Sequence, residues 1–383
     1  MRIGFVSIPD ASKVRSWSGI PFQILNQFRT QGVDVQLLSP LQAKSKYMVA
    51  PARLLAKARG QSVTLDHFPI VLRDYAEQID RFVQDRGIEV VFSTSTIPIT
   101  LLKCGRPIVT WTDAVFHGMR DYYGKTFANL SQRAVKRGMW QEETALDNCA
   151  MAAFASRWAL NGAAKITDAQ KLRILPFGSS LPVRHSAEQI TERAIEKRSK
   201  RKGACELLFV GVNWARKGGD IAVETARLLN EASIETRLNI VGSQPDGPIP
   251  SFVKSLGFLN KSSNEGMRKL IELYESADFL ILPTQAEAAG IVFSEASSFG
   301  LPSITYETGG VPDYIRDHVN GICLEPGSTA DRFALEIKKI LENPSEYELY
   351  ASAGFREYRE RLNWATSVRR LVELCADCIR AER

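Results

Sequence analysis

Short apolar runs alternate with helix-patterned stretches along the chain, and this alternation limits the fold more than any single motif does. IGFVSIP, VDVQLLSP, IEVVFSTS, RPIVTWTD and CAMAAFAS in the first half are short, strand-like and bounded by polar or turn residues. ELLFVGVN, TRLNIVGS, DFLILPT, PSITYE and GICLEP repeat the scheme in the second half, separated by stretches such as IAVETARLLNEA. Apolar strands separated by helices build parallel sheets covered on both faces. The predicted class is therefore α/β, with two Rossmann-like domains. A length of 383 residues suits two cores better than one. Pro and Gly punctuation in ILPFGSSLPVRH, followed by the charged run AIEKRSKRKG, places a linker over residues 181–203, with domains at 1–180 and 204–362. Lys197 to Lys202 read as a solvated connector and not as a nucleic-acid site.

Composition removes several classes. Apolar residues make up 44% and charged residues 24%, the balance of a soluble globular protein. No apolar run approaches the ~20 residues of a membrane-spanning helix. MRIGFVSIPD reads as a first strand and not as a signal peptide, which points to a cytoplasmic protein. The six cysteines form no disulfide framework, and the pair Cys375 and Cys378 lies in a helical run without a second ligand pair. Residues 1–180 carry 23 Lys and Arg against 14 Asp and Glu, net +9, while the remainder carries 26 against 29, net −3. The basic first half suits an anionic partner such as a membrane surface or acidic substrate, or simply a solvated basic surface.

PTQAEAAGIVFSEASSFGLPSI, Pro283 to Ile304, holds the chemistry. A strand runs into a helix that starts near Gly290, with Glu287 before it and Glu295 within it. Eight residues of helix rise about 12 Å, too far for a tight acid/base dyad. The two acids therefore grip different parts of one elongated ligand. Between them the helix start offers free amides at Gly290, Ile291 and Val292, an anion site at the end of a parallel strand. A diphosphate at the helix with hydroxyls at each acid describes a nucleotide sugar. A second segment, FVGVNWARKGGDIAVE, supplies Arg216 and Lys217 between a strand and a helix, cations suited to a diphosphate. Neither a Walker loop nor a GxGxxG fingerprint occurs, which argues against an ordinary ATPase or NAD-dependent dehydrogenase.

In this order, WSGIPF, ILPFGSS, RKGGD, Glu287-x7-Glu295 and ETGGVPDYI resemble the retaining glycosyltransferases of family 4, over nearly the whole chain. The resemblance implies the GT-B fold of two facing Rossmann-like domains, with an interdomain cleft and a last helix, within 363–383, that crosses back to the N-terminal domain. It implies transfer of a hexose from a UDP- or GDP-sugar to a glycan or lipid-linked acceptor, with no bound metal and no other cofactor. By the same resemblance Glu295 holds the ribose hydroxyls, Glu287 contacts the transferred sugar, and Lys217 neutralises the diphosphate beside the Gly290 and Ile291 amides. Gly19 lets the first loop approach the diphosphate. Base recognition falls to the loop GFLNKSS, through Gly257 and Leu259. The chain departs from the pattern at Val212, where many members have an arginine that Arg216 would replace, at Ala289, where an aromatic is common, and at the single Gly19. A GT-B nucleotide-sugar epimerase or a non-catalytic sugar-binding module are the competing readings.

Asp113 and His117, just after the strand RPIVTWTD, compete for the family's contact to the donor sugar. Trp17, Tyr122, Ser156 and Arg157 are acceptor candidates. VAPARLLAKARG reads as a basic amphipathic helix with Pro51 at its first position and Gly60 at its end. It either docks on anionic lipid at the inner face of the membrane or packs its apolar side inward as an ordinary surface helix.

Overall fold

The computed structural model describes residues 1–14, 16–183, 185–199, 203–245 and 247–381. It divides into unit 1, Met1–Leu175 with Ser367–Arg383, and unit 2, Pro176–Thr366.

Unit 1 holds six strands: β1 (Arg2–Val6), β2 (Asp34–Leu38), β3 (Val90–Ser93), β4 (Ile108–Thr112), β5 (Met151–Phe154) and β6 (Leu172–Ile174). Its helices are α1 (Ile20–Thr30), α2 (Lys46–Ala58), α3 (Pro69–Arg86), α4 (Phe116–Tyr122), α5 (Gly124–Phe127), α6 (Gln132–Asn148) and α7 (Arg157–Ala163). The strands are parallel in the order β2-β1-β3-β4-β5-β6. Phe5, Phe28 and Phe92 meet edge to face at the centre of this sheet, with ring centroids 5.1–6.1 Å apart.

Unit 2 begins with α8 (Ala187–Ser199) and holds β7 (Cys205–Val210), β8 (Thr236–Val241), β9 (Val253–Ser255), β10 (Phe279–Leu282), β11 (Ser303–Tyr306) and β12 (Gly321–Leu324). Its further helices are α9 (Trp214–Lys217), α10 (Gly219–Glu231), α11 (Asn264–Ser276), α12 (Ile291–Ser298), α13 (Ala330–Glu342) and α14 (Pro344–Glu360), and α15 (Trp364–Ala381) ends the chain. The parallel order is β12-β11-β10-β7-β8-β9. The strand order therefore reverses between β7 and β10. In open α/β sheets ligands bind outside the carboxyl ends of the strands at such a switch. The loops after β7 and β10 carry RKGG and Glu287.

Ten strands follow the apolar runs of the sequence. The two others, β6 and β9, are three-residue edge strands, LRI and VKS, too short and polar to signal themselves. The linker reading of 181–203 is corrected: α8 buries Ile190 and Ala194, four residues apart and so on one face, and belongs to unit 2. Lys197 is partly buried and donates to the Ala277 carbonyl, and burial pulls its ammonium down to about 8. Lys200–Lys202 lie outside the described residues. Helix α2 starts at Lys46, one turn before the predicted start, so Pro51 sits inside it. α15 is split: Trp364 belongs to unit 2, and Ser367 onward to unit 1, close to the expected 363–383. No helix among the described residues is long and apolar enough to cross a membrane.

Candidate active site

Beyond β7 the chain makes one turn of helix, α9, capped by Asn213, whose side chain accepts from the Arg216 amide at 2.9 Å. Gly218 then takes φ +76°, and a Cβ there would meet the Pro283 carbonyl oxygen at 2.2 Å. A Cβ on Gly219 would meet the Trp214 ring at 2.3 Å. Both glycines are thus required by packing within the unit. Lys217 is buried to 8% exposure, and its stem lies against Gly211, where a Cβ would come within 2.9 Å. Its ammonium pairs with the Glu287 carboxylate.

The loop after β10 is tied on both sides. Gln285 donates its amide to the Arg216 carbonyl at 2.8 Å, and the Arg216 guanidinium donates to the Ala286 carbonyl. Gly310, in ETGG, donates to the Glu287 carbonyl at 2.8 Å. Arg216 Nη1 also lies 4.0 Å from Glu287 Oε2, so two cations converge on one carboxylate. Val212 is 69% exposed and brings no charge, which leaves Arg216 as the second cation.

Helix α12 follows, buried from Phe293 to Ser298. A Cβ on Gly290 would strike the Phe293 ring at 2.2 Å, and the φ of −92° makes no demand for glycine. Gly290 is therefore a packing requirement. Of the three amides expected to face an anion, Ile291 is engaged with the Ala289 carbonyl at 3.2 Å. The Gly290 and Val292 amides make no hydrogen bond among the described residues. Glu295, 1% exposed, accepts from Tyr274 Oη at 3.0 Å and pairs with Lys261. Burial and the Glu295 charge together push the Tyr274 hydroxyl well above its ordinary value. Glu287 and Glu295 thus have separate partners. Lys261 and Tyr274 were not singled out in the sequence, although Lys261 stands in GFLNKSS.

Other expected residues have plain structural duties. ILPFGSS is a packing node: Phe177 stacks on Trp364 at 5.4 Å, its amide donates to Tyr314 Oη, and its carbonyl accepts from Ser294 Oγ. Gly257, at φ +63°, gives its carbonyl to the Gly242 amide, and Leu259 packs against the unit 2 core.

In unit 1, the loop after β1 reaches α1 through three left-handed residues, Trp17, Ser18 and Gly19, with φ of 43°, 55° and 83°. Such backbone costs a non-glycine residue about 1–2 kcal/mol, so this loop holds strain at the strand-order switch between β1 and β3. Asp113 follows β4 directly and is partly buried. His117 is the second residue of α4, its Nε2 buried without a partner and its pKa lowered by burial. Glu142, missed in the sequence, accepts the Phe116 amide at 3.1 Å and so anchors the start of α4. Tyr122 packs against Tyr123 and Trp158, at 5.2 and 4.8 Å. Ser156 is fully buried and its hydroxyl caps α7, which removes it as a free acceptor contact. Arg157 beside it is exposed.

Two parallel six-stranded sheets of this order are those of the α/β GT-B class. Residues 190–357 match the family model described as Glycosyl transferases group 1. Over 184 residues, 46% of this chain, the sequence is 33% identical to lipopolysaccharide glucosyltransferase WaaG of Escherichia coli, covering 49% of it. Over 181 residues, 44% of the chain, it is 28% identical to D-inositol 3-phosphate glycosyltransferase of Thermomonospora curvata, covering 42% of it. The match thus spans less than half the length of these relatives. Among solved structures, sucrose-phosphate synthase from Thermosynechococcus elongatus superposes with a TM-score of 0.71 at 15% identity over 100% of both chains. WaaG superposes with a TM-score of 0.66 at 18% identity, over 97% of this chain and 99% of its own. Anabaena HepE in complex with UDP-glucose gives 0.64 at 14% identity, over 98% and 100%. At these identities the structures establish the GT-B fold. Lys217, Glu287 and Glu295 all lie inside the family match.

Proposed function

We propose that this chain is a retaining, family 4 glycosyltransferase. In this reading it moves a hexose from a UDP- or GDP-sugar to a glycan, glycolipid or lipid-linked acceptor, in cell-surface polysaccharide or lipopolysaccharide assembly. The observation that carries it is the convergence of Lys217 and Arg216 on Glu287 at the β7/β10 switch, with the open Gly290 and Val292 amides just beyond. The match of residues 190–357 to group 1 glycosyl transferases supports it.

In this mechanism the resting Lys217 is neutralised by Glu287, and an arriving diphosphate competes for the ammonium. The carboxylate so released turns to the sugar. Lys217, Arg216 and the two amides then take up the charge of the departing diphosphate, without calling on a metal ion. Glu295, paired with Lys261 and fixed by Tyr274, accepts from the ribose hydroxyls. Unit 1 takes the acceptor, and the protein works in the cytoplasm in contact with an anionic membrane.

Titration with UDP, GDP, ADP and CMP, by melting temperature and calorimetry, tests the reading. One nucleotide should bind both wild type and Glu287→Ala, because Glu287 competes with the diphosphate for Lys217. Transfer from the matching sugar nucleotide should fall by roughly a hundredfold or more in the variant. The anomeric proton of the product, read by NMR, should show retention. Failure of all four nucleotides to bind would sink the proposal.

A further inference from the structure

Helix α2 is turned the opposite way from an ordinary surface helix. None of its residues is buried. Tyr47, Met48, Leu54 and Leu55 are 85%, 71%, 72% and 62% exposed. At 3.6 residues per turn these four, with Pro51 and Ala58, fall within roughly a third of the circumference. Val49, on the other side, rests against the core of unit 1. The reading of a helix with its apolar side packed inward is therefore overturned. Pro51 also denies the Tyr47 carbonyl its intrahelical donor.

Charge gathers on the flank beside this face and past the helix end. From Lys44 to Arg59 the chain has five cations, Lys44, Lys46, Arg53, Lys57 and Arg59, and no acid. Lys46 pairs with Asp66 at 2.7 Å and lies over the Tyr75 ring. Lys44, Arg53, Lys57 and Arg59 make no ion pair among the described residues. Lys46, Arg53 and Lys57 line a groove of about 440 Å³ along the flank of the helix, together with Asp66, whose charge Lys46 takes up.

We propose that α2 lies in the interface of an anionic phospholipid bilayer. Tyr47, Met48, Leu54 and Leu55 enter the boundary between headgroups and acyl chains, while Arg53 and Lys57 take lipid phosphates in the groove. A protein partner would bring a polar rim of donors and acceptors to this face. A flank of unpaired cations beside bare apolar side chains matches acidic lipid instead. This deepens the membrane contact proposed above by naming its surface, and it stands on α2 alone, without the site in unit 2.

Flotation with phosphatidylcholine vesicles, and with an equimolar mixture of phosphatidylcholine and phosphatidylglycerol, tests it on the full chain. Wild type should float with the anionic vesicles and be released by salt. Leu54→Gln/Leu55→Gln and Arg53→Gln/Lys57→Gln should each weaken binding on the order of tenfold or more. All these side chains are exposed, so melting temperature should not change. Wild type that ignores anionic vesicles, or variants that bind like wild type, would overturn the inference. So would a wild-type dimer without vesicle binding that Leu54→Gln/Leu55→Gln dissolves, since the face would then join two copies. Nucleotide titration of the same preparations keeps this outcome separate from that of the donor site.

Discussion

Removing Glu295 should cost stability and nucleotide affinity together, and the structure allows the two to be separated. The carboxylate is 1% exposed and has two partners. In Glu295→Ala the Tyr274 hydroxyl, also 1% exposed, loses its acceptor, at about 1–3 kcal/mol for a buried unpaired polar group. Lys261 is 30% exposed along its side chain and can return to water, so the broken ion pair adds about 0–1 kcal/mol. With some lost packing, a total of about 3 kcal/mol follows. Glu295→Gln keeps an acceptor for Tyr274 and most of the volume, so its cost should be about 1 kcal/mol. If Glu295 accepts from the ribose hydroxyls as proposed, both variants should bind nucleotide roughly tenfold or more weakly. Chemical denaturation gives the first quantity, and calorimetric titration of the folded variants gives the second. Equal stability losses for Ala and Gln would refute the role given to Tyr274. Wild-type nucleotide affinity in Glu295→Gln would refute the ribose assignment.

Two further outcomes rest on packing and on titration. Gly218→Ala should destabilise the protein by about 2–4 kcal/mol, read by chemical denaturation, because the new Cβ faces both a left-handed φ and the Pro283 carbonyl. Glu142 is fully buried, and burial lifts its carboxyl from 4.5 to about 7, above its unfolded value. Its contribution to stability is thus complete below about pH 4.5 and is lost as pH rises through about 7. Glu142→Gln keeps an acceptor for the Phe116 amide and should remove that slope. Denaturation at about pH 8 should find it more stable than wild type by up to about 3 kcal/mol, with the difference vanishing toward about pH 4.

The sheets were legible because apolar strands bounded by turn residues leave a local signal, and ten of the twelve do so. LRI and VKS do not, since pairing at a sheet edge and not their own composition makes them strands. The linker reading of 181–203 failed because, among the described residues, α8 buries only Ile190 and Ala194 amid charges, and α14, which packs on α8, lies far along the sequence. Of the site, Lys217, Glu287 and Glu295 were readable as residues but not as pairs. Lys217 meets Glu287 across 70 positions, and Lys261 meets Glu295 across 34. Such contacts follow from strand order, which no local pattern encodes. Nor does a glycine in the sequence tell what fills the space beside it: Gly218, Gly219 and Gly290 are backed by Pro283, Trp214 and Phe293 respectively.

The two carboxylates differ most in what holds them. Glu295 sits in a helix buried from Phe293 to Ser298, so its place is set by the core of unit 2. Glu287 sits in a loop held through its carbonyls, by the Gly310 amide on Glu287 itself and the Arg216 guanidinium on Ala286 next to it. Replacing the partner of Lys217 therefore asks nothing of the backbone: a diphosphate can take the ammonium while the loop keeps its shape. Arg216, Lys217 and Lys261 face Glu287 and Glu295, leaving one positive charge over, fewer than a diphosphate carries negative. That shortfall is what would force the diphosphate to compete with Glu287, and the competition would free the carboxylate only when a donor is bound. A nucleotide affinity that rises in Glu287→Ala would be its direct sign, and one that falls would show that Glu287 helps to hold the nucleotide.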